Sequence, residues 1–363
     1  MAVPTDDELQ ALLDRFVCVR IVQMWGVDLF RFQFDGSLTW AVFFLHPDGV
    51  IYGRYGSRSA LGPDSAREIS VEGFKKSLRG ALALHERYER DRERVGKELA
   101  GKTGSAPKGW RKPEGIPKLE ERGRFQTPFG GRGHGTCIHC HMVSTNELLS
   151  LRADRKPIPD RKFWPYPMPD GIGLRMDPEE MATVFRVESG SMASEAGLEN
   201  GDRILRIQGQ PILSTADIQW VLHNAGDEDR LELWVGRENR AAKLELPLHA
   251  GWRHRLREWR FINTGLLRQT LGFASKQVAK PRARRLGLGE HALALAVDRL
   301  NRRRLGDLDI RAGDVIVAVD GKRGRTSMAE FTAWLFREKP PGSKLVLTLL
   351  AGGEEHEVVL RLR

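Results

Sequence analysis

The chain has 363 residues, 40% hydrophobic and 29% charged, a balance that fits a folded globular protein and is too polar for a membrane-embedded one. At roughly 100 to 200 residues per domain, that length predicts two to four domains. Lys and Arg outnumber Asp and Glu by 58 to 48, a formal charge of +10, yet the basic runs at 282–285 and 302–304 lack any nucleic-acid-binding pattern, so no nucleic-acid partner is expected.

No apolar run reaches the roughly 18 residues of a membrane span, so no transmembrane segment is expected. The opening MAVPTDDELQALL lacks a basic stretch followed by an apolar one, and as written the chain reads as cytoplasmic. Residues 6–15 carry apolar residues at helical spacing, Leu9, Leu12 and Leu13. They lead into FVCVRIVQM, a strand-like run in which Cys18 is expected to be a small buried hydrophobe. TWAVFFLHPDG and VIYGRYG are two more strand-like runs, joined by Pro47-Asp48-Gly49 as a hairpin turn. A helix is predicted from Val71 to Arg94, with Phe74, Leu78, Leu82 and Leu84 on its apolar side.

From Glu98 to Gly135 the composition turns to Gly, Pro, Lys and Arg, which reads as a linker or wrapping segment. Thr-Cys-Ile-His-Cys-His-Met follows at 136–142. Cys137, Cys140 and His141 satisfy the C-x-x-C-H pattern of covalent haem attachment, in which two thiols form thioethers and the imidazole ligates iron. Met168, stiffened between Pro167 and Pro169, is the preferred second axial ligand; His134, Met142, Met176 or a five-coordinate iron are alternatives. Other readings stay open: a zinc site using Cys137, Cys140 and His141, a redox-active dithiol, or an unmodified pair. With only Cys18 besides, a disulfide scaffold is excluded.

From Gly171 the chain reads GIGLRMDPEEMATVFRVESGSMASEAGLENGDRILRIQGQPI. Gly171, Ile172, Gly173 and Leu174 are expected to turn successive backbone N–H groups toward one carboxylate. Ser214 and Asp217 predict a capping box for the helix ADIQWVLHNA, which should flank a groove for an extended peptide. His223, late in that helix, reads as structural or solvated. LELWV and KLELPL close the module.

A second copy begins near Leu271, Gly272 and Phe273 and reaches GDVIVAVDG, which repeats GDRILRIQG 112 residues later. Ser327 and Glu330 predict its capping box, and KLVLTLL and HEVVLRL its last strands. Between the modules, Trp252 and Trp259 are expected to pack an interface.

Gly171 to Leu174 with SMASEAGLENGDRI resembles PDZ domains, and IRAGDVIVAVDGKRG resembles the PDZ domains of HtrA-type bacterial proteins. The resemblance implies binding of protein C-termini; a PDZ fold serving as an interdomain brace is the alternative for both modules. Without a nucleophile motif such as G-x-S-x-G, serine proteolysis is not expected. Helix, strand, HPDG hairpin and helix over residues 5–95 resemble the later part of a thioredoxin-like fold. No C-x-x-C precedes the first helix, and Trp40 stands where thioredoxins carry a cis-proline, so thiol catalysis there is not expected. The whole order resembles a bacterial family of thioredoxin-like and PDZ-containing proteins, some of them selenoproteins.

The expected fold class is therefore multidomain, α/β plus mainly β: an incomplete thioredoxin-like domain at 1–97, a linker with the cysteine motif at 98–163, and two PDZ-like domains at 164–250 and 251–363. The leading functional expectation is a redox-associated protein with haem c for electron transfer and PDZ modules docking protein tails, its redox partner unidentified. The alternative is a non-enzymatic scaffold with a zinc-binding or thiol-redox cysteine pair. Haem c implies the periplasm or cell envelope and a signal sequence upstream of the written start.

Overall fold

The computed structural model describes residues 6–58, 68–104, 109–121, 137–255, 261–289, 292–324 and 327–362; the side chains of 261–264 are outside the description. His134 and Trp259 lie outside the described residues. Two compact units emerge, each from two separate stretches of chain: residues 1–112 with 165–259, and 113–164 with 260–363. No helix among the described residues is long and apolar enough to cross a membrane.

In the first unit the hairpin forms as its turn chemistry dictates. Strands β1 (Val42–Leu45) and β2 (Ile51–Tyr55) pair antiparallel, and the Gly49 amide donates to the His46 carbonyl at 2.8 Å with Gly49 at φ +86°. The helix expected to run to Arg94 ends at Arg90. Asp91 stops it by accepting from the Arg94 amide, as N-cap of a second helix, Arg92–Leu99. The run FVCVRIVQM is not a strand. Val17, Val19 and Val22 are 94%, 80% and 71% exposed and Cys18 is exposed too, because β-propensity without a paired neighbour does not make a sheet. This part of the chain therefore contributes a two-stranded sheet.

The remainder of the first unit holds β3 (Leu174–Met176) and β4 (Val184–Val187) as an antiparallel pair. A four-stranded sheet follows in the order β6-β5-β7-β8, from β5 (Arg203–Ile207), β6 (Gln210–Pro211), β7 (Asp229–Arg237) and β8 (Arg240–Leu248). A short helix, Met192–Glu195, lies between β4 and β5, and a longer one, Thr215–Asn224, between β6 and β7. Their core gathers Ile172, Leu174, Ile204, Trp220, Val235 and Trp252, so Trp252 packs inside this unit.

The second unit repeats much of that order, with a helix Lys280–Arg285 inserted between its first two strands and, among the described residues, no strand matching β6. Strands β9 (Phe273–Gln277) and β10 (Leu295–Leu300) pair antiparallel, a short helix Arg302–Leu305 follows, then β11 (Val315–Val319), the helix Met328–Glu338, β12 (Lys344–Ala351) and β13 (Glu354–Arg361). The sheet order is β13-β12-β11-β10-β9. The recurrence extends to single bonds. The Val184 amide donates to the Asp202 carbonyl and the Val297 amide to the Asp314 carbonyl, both at 2.8 Å. The carboxylates of Asp202 and Asp314 each accept the amide three residues upstream, at 2.9 and 2.7 Å. Gln208 and Asp320, both at positive φ, each accept an amide from the strand after the long helix.

The stretch expected to be a linker is folded where described. Cys140–Ala153 forms a helix, and Leu148, Ile158, Phe163 and Trp164 are buried in the second unit's core with Leu266, Leu267 and Phe336. Apolar side chains resumed after the Gly- and Pro-rich segment, and they found a core to enter.

Gly173 ends the turn before β3 at φ +83°, and a Cβ there would run into the Ser191 side chain. Gly173→Ala is expected to cost about 1–3 kcal/mol or more, because both the backbone angle and the space are wrong for a side chain. Urea unfolding monitored by the fluorescence of the buried Trp220 and Trp252 measures it.

Candidate functional site

The helix Thr215–Asn224 is where the first unit's parts meet. Ser214 caps it, accepting from the Ala216 amide at 3.0 Å. Asp217, expected to complete a capping box, instead sends its carboxylate to the Leu213 amide at 3.0 Å and to the Arg54 amide of β2 at 3.2 Å. The same carboxylate holds the Lys102 ammonium at 2.8 Å, with both side chains fully buried. Arg54 lies 4.0 Å from Asp217, donates to the Lys102 carbonyl at 2.7 Å and stacks on Trp220 at 4.0 Å. Burial brings the Lys102 pKa down from 10.5 to about 8 despite that carboxylate.

Further along the helix, Gln219 donates to the Tyr166 carbonyl at 2.9 Å and to the Met168 sulfur at 3.1 Å. Ser57 donates to Gln219 Oε1 at 2.9 Å and reaches the same sulfur at 3.5 Å. The His223 ring stacks on Tyr166 with centroids 4.2 Å apart and accepts the Tyr166 amide, the structural role expected of it. This face of the helix is thus dressed by the chain's own residues 54–57 and 166–168.

The Gly171–Leu174 turn differs from the open anion nest that the glycines predict. Pro169–Ile172 is a single 3-10 turn, in which the Gly171 amide donates to the Met168 carbonyl at 3.1 Å and the Gly173 amide to the Asp170 carbonyl at 3.0 Å. Proline fixes φ at the turn's first position, so the following amides fold back on the chain rather than outward. Ile172 and Leu174 are buried. What the turn does is launch β3 as an edge. Among the described residues β3 pairs with β4 alone. Because the Glu188 amide donates to the Gly173 carbonyl, alternation along an antiparallel pair turns the N–H and C=O of Leu174 toward the other edge. Exposed Arg175 sits beside them.

The second unit places Leu271, Gly272 and Phe273 in the equivalent position. Leu271 ends the helix Phe261–Leu271, the Gly272 amide donates to the Arg268 carbonyl at 3.1 Å, and Phe273 opens the edge strand β9. Gly272 has φ +90°, and a Cβ there would sit 3.0 Å from Arg304 Cδ. Leu271 and Phe273 are buried. The capping box of Ser327 and Glu330 forms in full.

Cys137, Cys140 and His141 are described within the second unit, and Met168 within the first. The helix begins only at Cys140 with His139 as its N-cap, so Cys140 and His141 lie on its first turn while Cys137 precedes it. Neither cysteine is in a disulfide, and both are partly buried. Burial pushes the Cys140 thiol up, which disfavours a thiolate. Burial, and then neighbouring His139, hold His141 below the usual histidine value, which favours its neutral form. Met142 is on the same helix, and Met176 is buried in the first unit's core.

Residues 171–248 match the family model of the PDZ domain. No curated protein matches the chain. The match spans β3 to β8 and includes the helix that Asp217 anchors.

Asp217→Asn leaves two buried cations without their counter-charge and is expected to cost about 3–5 kcal/mol. Adding Lys102→Met to Asp217→Asn removes one of those two cations and is expected to recover part of the loss, with Arg54 still lacking its counter-charge. The pH dependence has a definite sign: the Lys102 contribution to stability is full above 10.5 and is lost as pH falls to about 8, because the unfolded chain binds the proton first. Lys102→Met flattens that part of the stability profile. Urea midpoints measured between pH 7.5 and 10.5 report both effects.

Proposed function

We propose that the chain is a docking protein whose first PDZ-type module, 171–248, binds the C-terminal tails of other proteins by strand addition along β3. One observation carries this reading: β3 is an edge strand launched by a glycine turn inside the region that matches the PDZ family. An added strand draws affinity from main-chain bonds and specificity from neighbouring pockets, and exposed Arg175 favours an incoming carboxylate. Apart from the inserted helix Lys280–Arg285 and the lack, among the described residues, of a counterpart to β6, the second unit repeats the strand and helix order, the glycine turn and the G-D step, which supports a second PDZ-type module over 251–363. The N-terminal hairpin and helix are read, in the same proposal, as a thioredoxin-like part that acts structurally.

The test uses the full chain and a panel of fluorescent C-terminal peptides, each as free acid and as amide. Free acids are expected to bind, amidation to weaken them at least about tenfold, and Arg175→Glu to do the same. Equal binding of acid and amide, or no peptide bound at all, would leave the module as an internal brace, a role favoured by the helix face that Tyr166, Met168 and Ser57 cover.

A second reading concerns Cys137, Cys140 and His141, and the placement of Cys140 and His141 on the first turn of one helix, with Cys137 just ahead of it, favours it. These residues would hold haem c, which supplies electron transfer when bound, and that reading carries an envelope location. Zinc is the alternative occupant, and it requires Cys140 to lose the proton that burial helps it keep. Met168 would have to release Gln219 and Ser57 to serve as an axial ligand. A pyridine haemochrome spectrum of protein produced with cytochrome c maturation decides: covalent haem is expected, lost in Cys137→Ser and Cys140→Ser, while zinc without haem overturns it.

A further inference from the structure

The hairpin and the helix Val71–Arg90 bring together a group of side chains that peptide docking leaves unused. His46 follows β1 at the root of the turn, where its amide donates to the Val50 carbonyl at 2.9 Å and its carbonyl accepts from Gly49. His85 and Glu89 stand one helical turn apart, so they share a face. His46, His85 and Glu89 each present a ligating atom within 4.8 Å of the other two. The His46 ring is buried and lies 5.7 Å from that of His85 at an interplanar angle of 27°.

Each imidazole also has an outer partner. Tyr52 Oη is 2.9 Å from His85 Nδ1, and Asp48 Oδ2 is 3.2 Å from His46 Nδ1. A carboxylate or hydroxyl behind a histidine is what fixes ring orientation and tautomer in metal sites. His46 Nε2 approaches Glu89 Oε1 at 2.9 Å, a contact that one hydrogen bond explains. The second imidazole is not explained so easily: among the described residues His85 makes no hydrogen bond to either His46 or Glu89.

We propose that His46, His85 and Glu89 form a binding site for a divalent transition-metal ion of the zinc class. Two imidazoles and one carboxylate match the donor preference of such ions and leave one position for water. His46 changes tautomer on binding. In the metal-free protein its Nδ1 accepts the Asp48 amide at 3.1 Å, leaving Nε2 to donate to Glu89; with Nε2 on the ion, the Asp48 amide gives up that bond and Nδ1–H turns to the Asp48 carboxylate. Arg92 pairs with both Asp48 and Glu89, and the ion displaces it from Glu89. The site clamps hairpin to helix, which makes it structural in effect.

The test uses the full chain with Cys137→Ser and Cys140→Ser, so that no thiolate pair contributes. Cobalt(II), added to the protein, is expected to give one equivalent of tight binding with visible d–d absorption, and zinc to displace it and raise the thermal midpoint. His46→Gln, His85→Gln and Glu89→Gln are each expected to weaken zinc binding by at least about a hundredfold, and Tyr52→Phe by roughly tenfold. Circular dichroism confirms that each variant is folded; Glu89→Gln, on an exposed side chain, keeps the test open if a histidine variant is not. Cobalt or zinc binding unchanged in the Glu89 and histidine variants, or none in the parent, overturns the proposal.

Discussion

A carboxylate buried between two cations organises the first unit. Asp217 sits in the first turn of the helix Thr215–Asn224, where the helix's own N-terminal dipole already favours negative charge, and it draws in Lys102 and Arg54 from chain more than a hundred residues away. The desolvation of those cations is compensated only if the carboxylate stands where it does, because an ion pair this deep is as much a cost as a gain until its geometry is complete. Ser214 adds a second tie, donating to the Arg54 carbonyl at 2.6 Å. Together these contacts decide which strand of the N-terminal hairpin meets the helix and in what register, so the hairpin and the PDZ-type sheet are parts of one folded unit.

The two units share a backbone logic that does not depend on sequence identity along their strands. Asp202 and Asp314 close the same loop by accepting the same upstream amide, and Gln208 and Asp320 perform the same service with different chemistry. An amide and a carboxylate are interchangeable there because the position requires only an acceptor on a turn at positive φ. Repetition at this level marks the turns, whose geometry is demanding, more strongly than the strands, which any alternation of apolar residues satisfies.

Local chemistry was the legible part of the sequence. The hairpin around Pro47-Asp48-Gly49, the cap at Ser214, the full capping box at Ser327 and the G-D steps were visible because each is decided within a few residues. Long-range choices were not. Nothing around Cys18 shows that its run stays unpaired, since pairing depends on a neighbour elsewhere. Asp217 fitted a capping box by spacing, and only the approach of Arg54 and Leu213 redirects it. The glycines at 171 and 173 suggested an anion nest, but Pro169 ahead of them turned the amides back. The histidine cluster left one partial trace, His85 and Glu89 at helical spacing; His46 joins them only through the hairpin's fold.

The alternation of chain segments between the two units has a bearing on synthesis. Residues 1–112 reach their partner segment only when 165–259 has been made, and 113–164 wait for 260–363. During translation the N-terminal hairpin therefore leaves the ribosome with Lys102 and Arg54 lacking their counter-charge, and the cysteine-bearing helix emerges before its core exists. Contacts this distant slow folding and prolong exposure of apolar surface. In a nascent chain of this design, Lys102 and Arg54 gain their counter-charge only when the helix Thr215–Asn224 appears, and the cysteine-bearing helix is the later of the two to find its core.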